Sequence, residues 1–101
     1  MVWVKVAAAA DVGPGKMIGA KGGGKTVLVA NVNGKAHAIW DRCNHNGCAL
    51  SRGTLEGAVV TCPCHSSRFD VRDGKLLEGP AKLPQPTVKA KIEGKNVFID
   101  V

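Results

Sequence analysis

The chain of 101 residues contains no tyrosine, two tryptophans and two phenylalanines. With Trp3, Trp40, Phe69 and Phe98 as its only aromatics, the core must be packed mostly from Val and Ala. A single domain of this size also has a limited core, so a covalent or metal staple would help it. No run of eighteen apolar residues occurs, and no membrane anchor is expected. The N-terminus, MVWVKVAAAADVGPG, carries its one positive charge inside the apolar run rather than ahead of it, unlike a secretory signal. A soluble, cytoplasmic protein is expected, or a periplasmic one if a leader has been removed. Also missing are a helical period, an internal repeat, a low-complexity tail and any block of five like charges. "KGGGK" (Lys21–Lys25) lacks the spacing and the closing Lys-Ser/Thr of a phosphate loop, and reads as a hairpin tip.

What is present is charge and β-pattern. Fourteen basic residues stand against eight acidic ones, a net +6, and they are scattered. Without a basic helix or interleaved aromatics, nucleic acid is a poor match. The plain reading is a solvated basic surface, and the sharper one is steering toward an acidic partner protein. A monomer is expected.

Val2–Val6 alternates like a strand. Thr26–Val32 and Lys35–Trp40 flank Asn33-Gly34, the pair that favours a type I′ hairpin. Residues 41–56 read as a loop. Strand character returns at Gly57–Thr61, Arg68–Val71 and Leu76–Glu78. Gly79–Pro86 is a proline-rich loop, and Thr87–Ile92 with Asn96–Val101 closes the chain as a hairpin. Strands at this spacing predict an all-β fold, a small antiparallel sandwich or barrel. Trp3 is read as core or sheet edge, and Trp40 as core or as a cover over the loop base. His37, in "KAHAIW", is read as an ordinary strand residue.

All four cysteines and two of the three histidines fall in two segments, CNHNGCAL (Cys43–Leu50) and CPCHSSRFD (Cys62–Asp70). Each pairs a Cys with a nearby His: Cys43 with His45, and Cys62 with His65. Four readings compete. Two disulfides allow three pairings and leave the histidines idle. A Cys2His2 zinc site normally spaces its ligand pairs more widely than Cys43–His45 and leaves two cysteines over. A four-cysteine 2Fe–2S site does not match gaps of four, thirteen and one. A Rieske site takes two Cys on one iron and two His on the other, uses one Cys and one His per loop, and leaves Cys48 and Cys64 free to join the loops.

These loops resemble the Rieske iron–sulfur family, with its C-x-H and C-x-x-H pattern. With a second cysteine in each loop, they resemble the cytochrome bc-type subgroup in particular. The likeness runs from about Trp40 to Leu83 and includes the "DG" and "GPA" of residues 73–74 and 79–81. It implies one domain over residues 1–101, with cluster-binding loops at about 41–83 set in a β base. It implies a 2Fe–2S cluster with Cys43 and Cys62 on the inner iron, His45 and His65 on the outer iron, and a Cys48–Cys64 disulfide. That bridge would be worth roughly 3 kcal/mol by loop entropy. Ser67 matches the family's serine that donates to a cluster sulfide.

Two positions depart from the family. Ser66 stands where Gly is common, and would be strained if the site needs positive φ. Phe69 stands where high-potential members carry a tyrosine. With that hydroxyl missing, the potential should fall within the broad Rieske range of about −150 to +300 mV, below members with both hydroxyls.

The function implied is a soluble one-electron carrier, not an enzyme, moving electrons between redox partner proteins. The alternatives are a ferredoxin component of an oxygenase system, a redox sensor switched at Cys48–Cys64, or a zinc-stabilised binding module. Against the oxygenase ferredoxin stands the extra cysteine pair, which those ferredoxins lack as a family. Arg52 and Lys82 flank the loops as exposed, solvated cations or partner contacts.

Overall fold

The structure, a computed structural model, describes residues 3–43, 47–64, 66–79 and 81–100. Ten strands run in order: β1 (Trp3–Ala8), β2 (Met17–Gly22), β3 (Lys25–Val32), β4 (Lys35–Trp40), β5 (Thr54–Glu56), β6 (Val59–Thr61), β7 (Arg68–Asp70), β8 (Leu76–Glu78), β9 (Thr87–Glu93) and β10 (Asn96–Asp100). Two single 3-10 turns, Ala9–Asp11 and Leu50–Arg52, are the only helical segments among the described residues. Every strand pairing is antiparallel. One sheet has the order β1-β10-β9-β4-β3-β2 and curls until β2 approaches β1. The other, β5-β6-β7-β8, forms a small layer of its own.

The Asn33-Gly34 hairpin is as expected. Both residues have positive φ, 54° and 87°, and Val32 pairs with Lys35 across the turn. The Gly23-Gly24 pair likewise joins β2 to β3. Two strands were not legible. β2, "MIGAKG", has two glycines and no clean alternation, and it exists because its whole length pairs with β3. β5 is three residues long and hangs on β6 across the Gly57 turn, which is why residues 41–56 read as one loop. Neither tryptophan is core: Trp3 and Trp40 are each 42% exposed. Trp3 begins edge strand β1, and Trp40 ends β4, where the chain leaves the sheet for the first cysteine segment.

β3 explains how the layers stack. Its run from Val27 to Asn31 is buried on both faces. Val27 and Val29 point into the curled sheet with Ala36, Ala38, Val97 and Ile99. Leu28 and Ala30 point the other way, into a second core with Ile39, Leu50, Val60 and Phe69. Each such large apolar side chain contributes about 1.5–3 kcal/mol when fully buried. The second core also contains Cys43 and Cys62, so the cysteine segments rest on the outer face of β3 and β4.

The proline-rich segment is drawn back onto the small sheet at Gly74. Its φ is +74°, and a Cβ there would run into the carbonyl oxygen of Gln85. Gly74 O accepts from Gln85 N–H at 2.8 Å, and Gly74 N–H donates to Asp70 O at 2.7 Å. Gly24 also has positive φ, +78°, but open space beyond it. Gly24→Ala should therefore cost only the left-handed backbone penalty, about 1–2 kcal/mol, while Gly74→Ala should cost clearly more. Urea unfolding of the two variants checks the difference.

Candidate metal centre

The two cysteine segments are closed in the same way. Arg42 bridges Ala49 and Thr61 pairs with Arg68, each across seven positions. Just inside, Cys43 N–H donates to Cys48 O at 2.8 Å, and Cys62 N–H donates to Ser67 O at 2.8 Å. A second bond returns within each: Gly47 N–H to Cys43 O at 2.8 Å, and Ser66 N–H to Cys62 O at 3.1 Å. The fourth residue after each cysteine has positive φ, 76° at Gly47 and 63° at Ser66. The strain anticipated at Ser66 is therefore present, and its counterpart is Gly47. This shared closure was visible in the sequence only as a Gly and a Ser at matching distance from the two cysteines.

Both closures sit on firm supports. Asp41, buried, accepts from Ser51 N–H at 2.7 Å and from Ser51 Oγ–H at 2.8 Å, and its own carbonyl accepts from Leu50 N–H at 2.7 Å. Gly19 of β2 makes room for this clasp, since a Cβ there would crowd Ser51 Oγ. In the other segment the buried Ser67 Oγ accepts from Ala81 N–H at 3.0 Å. That bond ties the proline-rich segment to the second closure and leaves the Ser67 hydroxyl proton available to donate.

Sequence reasoning missed Gln85. It is 2% exposed in a segment read from the sequence as a proline-rich loop. Its Nε2 donates to Trp40 O at 2.9 Å and Arg42 O at 2.8 Å, immediately before Cys43. Trp40 N–H in turn donates to Pro86 O at 3.0 Å. Gln85 thus joins the base of the first cysteine segment to the proline-rich segment and the Gly74 turn. The only sequence signal was a lone amide between Pro84 and Pro86.

A disulfide links Cys48 and Cys64, with their Cα atoms 6.4 Å apart. Cys43 and Cys62 are outside it, 2% and 1% exposed. His45 and His65 lie outside the described residues, as does Pro80 of the "GPA". Among the described residues no three His, Cys, Asp or Glu side chains gather as a metal site. The donors in view are two buried thiols, one from each of two alike segments clamped together, and this soft sulfur pair suits iron–sulfur or zinc ligation. Phe69 is fully buried in the core that holds both. Arg52 and Lys82 are exposed.

His37 takes no part. It faces Ala30 across the β3–β4 pair and lines an open groove with Lys35, Arg72 and Lys89. Burial, then the neighbouring Lys35 and Arg72 charges, hold its pKa below the ordinary value. Beside it, Asp70 accepts from the Arg72 backbone N–H at 2.9 Å and from its guanidinium at 3.0 and 2.7 Å. The guanidinium bond is the main cause of a carboxyl held below its usual range. Burial opposes it, and the backbone bond adds to it.

Residues 2–89 match the family model of the Rieske [2Fe-2S] domain. The chain is 40% identical over 101 residues to the ferredoxin component of biphenyl 2,3-dioxygenase of Rhodococcus jostii (strain RHA1), covering 100% of this chain and 94% of that protein. It superposes on the ferredoxin of carbazole 1,9a-dioxygenase from Nocardioides aromaticivorans IC177 with a TM-score of 0.92 at 27% identity, covering 98% of this chain and 97% of the other. A chain in a complex of reduced oxygenase and oxidized ferredoxin in carbazole 1,9a-dioxygenase matches with a TM-score of 0.88 at 31% identity, covering 97% of this chain and 92% of the other. All three come from dioxygenase systems. The cytochrome bc-type kinship suggested by the extra cysteine pair does not appear among them.

Two predictions follow from the supports. Gln85→Leu keeps the volume but strands the carbonyls of Trp40 and Arg42, and should cost about 2–4 kcal/mol in urea unfolding at neutral pH. The depressed Asp70 carboxyl contributes stability above its unfolded pKa of about 3.9, and this is lost as pH falls through the lower folded value. Asp70→Asn should therefore be less stable than wild type at pH 7, and the gap should narrow below about pH 4. Denaturation midpoints across that range check it.

Proposed function

Because the chain belongs to the Rieske [2Fe-2S] domain family, we propose that it is the ferredoxin component of an oxygenase system. The family membership makes it a one-electron carrier with a Rieske-type 2Fe–2S cluster, not a catalyst in its own right. The observation that carries the finer reading is the end-to-end identity to a dioxygenase ferredoxin of nearly the same length. Among the described residues no helix is long and apolar enough to cross a membrane. Redox partner proteins are the partners, and the cytoplasm is the compartment proposed.

Within this reading Cys43 and Cys62 would hold the inner iron, and His45 and His65 the outer one. The burial of both thiols and the like closure of their segments support the assignment. The cluster, when bound, would supply a reversible one-electron change. The chain's own residues govern when that change is favourable. The closures hold both sulfurs in a dry core, so little reorganisation is needed on electron transfer. Ser67, its oxygen already occupied by Ala81 N–H, would have its proton free for a cluster sulfide, a bond that would raise the potential. Phe69 adds bulk but no donor, which keeps the potential below that of a site with two hydroxyls. The Cys48–Cys64 bridge holds the two segments together, and the likeness to bc-type proteins is read as this shared device.

The reading is tested by electron transfer. The purified protein, reduced chemically, should pass electrons to an oxygenase component of the same organism and support its turnover. An oxygenase that turns over equally well without it would count against the proposal. Cys43→Ser or Cys62→Ser should abolish the colour and the reduced-state paramagnetic resonance signal. Cys64→Ser should keep both in a less stable protein, by roughly 3 kcal/mol. Ser67→Ala should keep the cluster and lower its potential in direct voltammetry.

A further inference from the structure

We infer that Trp40, with Lys25 and Arg42, forms the seat on which an acidic, indole-accepting face of the oxygenase docks. The inference rests on the ferredoxin reading above and names the surface it uses. Trp40 ends β4, three positions before Cys43, and is 42% exposed. Its backbone is held on both sides, by Pro86 O on its N–H and by Gln85 Nε2 on its carbonyl. A large aromatic on so fixed a support loses little freedom on binding, which is the property of an interface anchor.

The indole stands as a ridge between two open grooves. One is lined by Gly24, Lys25, Thr26 and Arg42, and the other by Lys25, Pro86, Thr87, Lys89 and Asp100. Lys25 Nζ lies 5.4 Å from the ring centroid. Among the described residues the ion pairs are Arg68–Glu78, Arg72–Asp70 and Lys91–Glu93, so Lys25 and Arg42 are in none of them, while Lys89 stands opposite Asp100 across the β9–β10 pair. In a chain of net charge +6, unpaired cations around an exposed indole call for carboxylates around an apolar recess. Of the two redox partners a ferredoxin serves, the oxygenase is the one seen with a relative in a solved complex.

The molecule contains its own control. Trp3 is also 42% exposed, and Lys91 Nζ stands 4.3 Å from its ring, but it begins edge strand β1 rather than leading into a cysteine segment. The test measures binding of the holo-protein to the oxygenase component by calorimetry, with Trp40→Ala, Trp3→Ala and the double reversal Lys25→Glu/Arg42→Glu. Trp40→Ala should weaken binding by about tenfold or more, and Trp3→Ala by less than about twofold. The reversal should weaken binding and flatten the salt dependence of the affinity. The reduction potential and thermal midpoint of Trp40→Ala should stay at wild-type values.

Equal losses at Trp40 and Trp3, or an unchanged salt slope in the reversal, would overturn the inference. So would a defect confined to the electron donor, or a self-association that Trp40→Ala abolishes. If wild type carries no electrons to the oxygenase, the ferredoxin reading itself fails. If wild type carries them and the variants bind normally, only the docking seat fails.

Discussion

Two backbone amides, those of Cys43 and Cys62, organise this protein's functional end. Each donates to the carbonyl five positions on and so turns a stretch of irregular chain into a closed segment. Buried backbone groups must find partners, and here they do so without a regular ladder beyond them. The closure in turn demands a left-handed residue at the fourth position. Gly47 supplies it without strain, and Ser66 supplies it at a backbone cost that the surrounding bonds sustain. A disulfide then locks one closed segment to the other.

Everything around these closures supports them from below. β3 is buried on both faces because it serves two cores, and the second of these holds the cysteine sulfurs. The Asp41–Ser51 clasp, the Ser67–Ala81 bond and the amide of Gln85 each reach between segments that are far apart in the chain. A carrier benefits from such cross-bracing, because a site that does not reshape between oxidation states exchanges electrons with little reorganisation. A small chain with four aromatics cannot supply that rigidity from bulk packing, so hydrogen bonds and one covalent bridge supply it.

Charge and shape divide the surface. The Asp70–Arg72 pair anchors the turn after β7. Lys25 and Arg42, beside Trp40, are in no ion pair among the described residues, next to the segment that leads into Cys43. Attraction of this kind acts over about a Debye length and orients an encounter before contact. An anchored indole then gives the encounter a fixed point.

Much of this was legible in the residues themselves. Asn33-Gly34 announced its hairpin because its φ requirement is local, and the C-x-H and C-x-x-H spacing announced the cluster family because ligand chemistry is local too. Single side chains that act at a distance were not legible. Gln85 between two prolines looked like loop, and only the packed structure turned its amide toward Trp40 and Arg42. β2 had no pattern of its own, since glycine carries no side chain to alternate, and its partner β3 made it a strand. Trp40 could be read as core or as a cover over the loop base, and only the packed structure left it 42% exposed. Composition and spacing determined the fold class and the cluster chemistry, both of which depend on residues near one another in the chain. Tertiary structure alone decided which polar groups brace the site and which aromatic faces outward, because those depend on contacts that no short stretch of sequence contains.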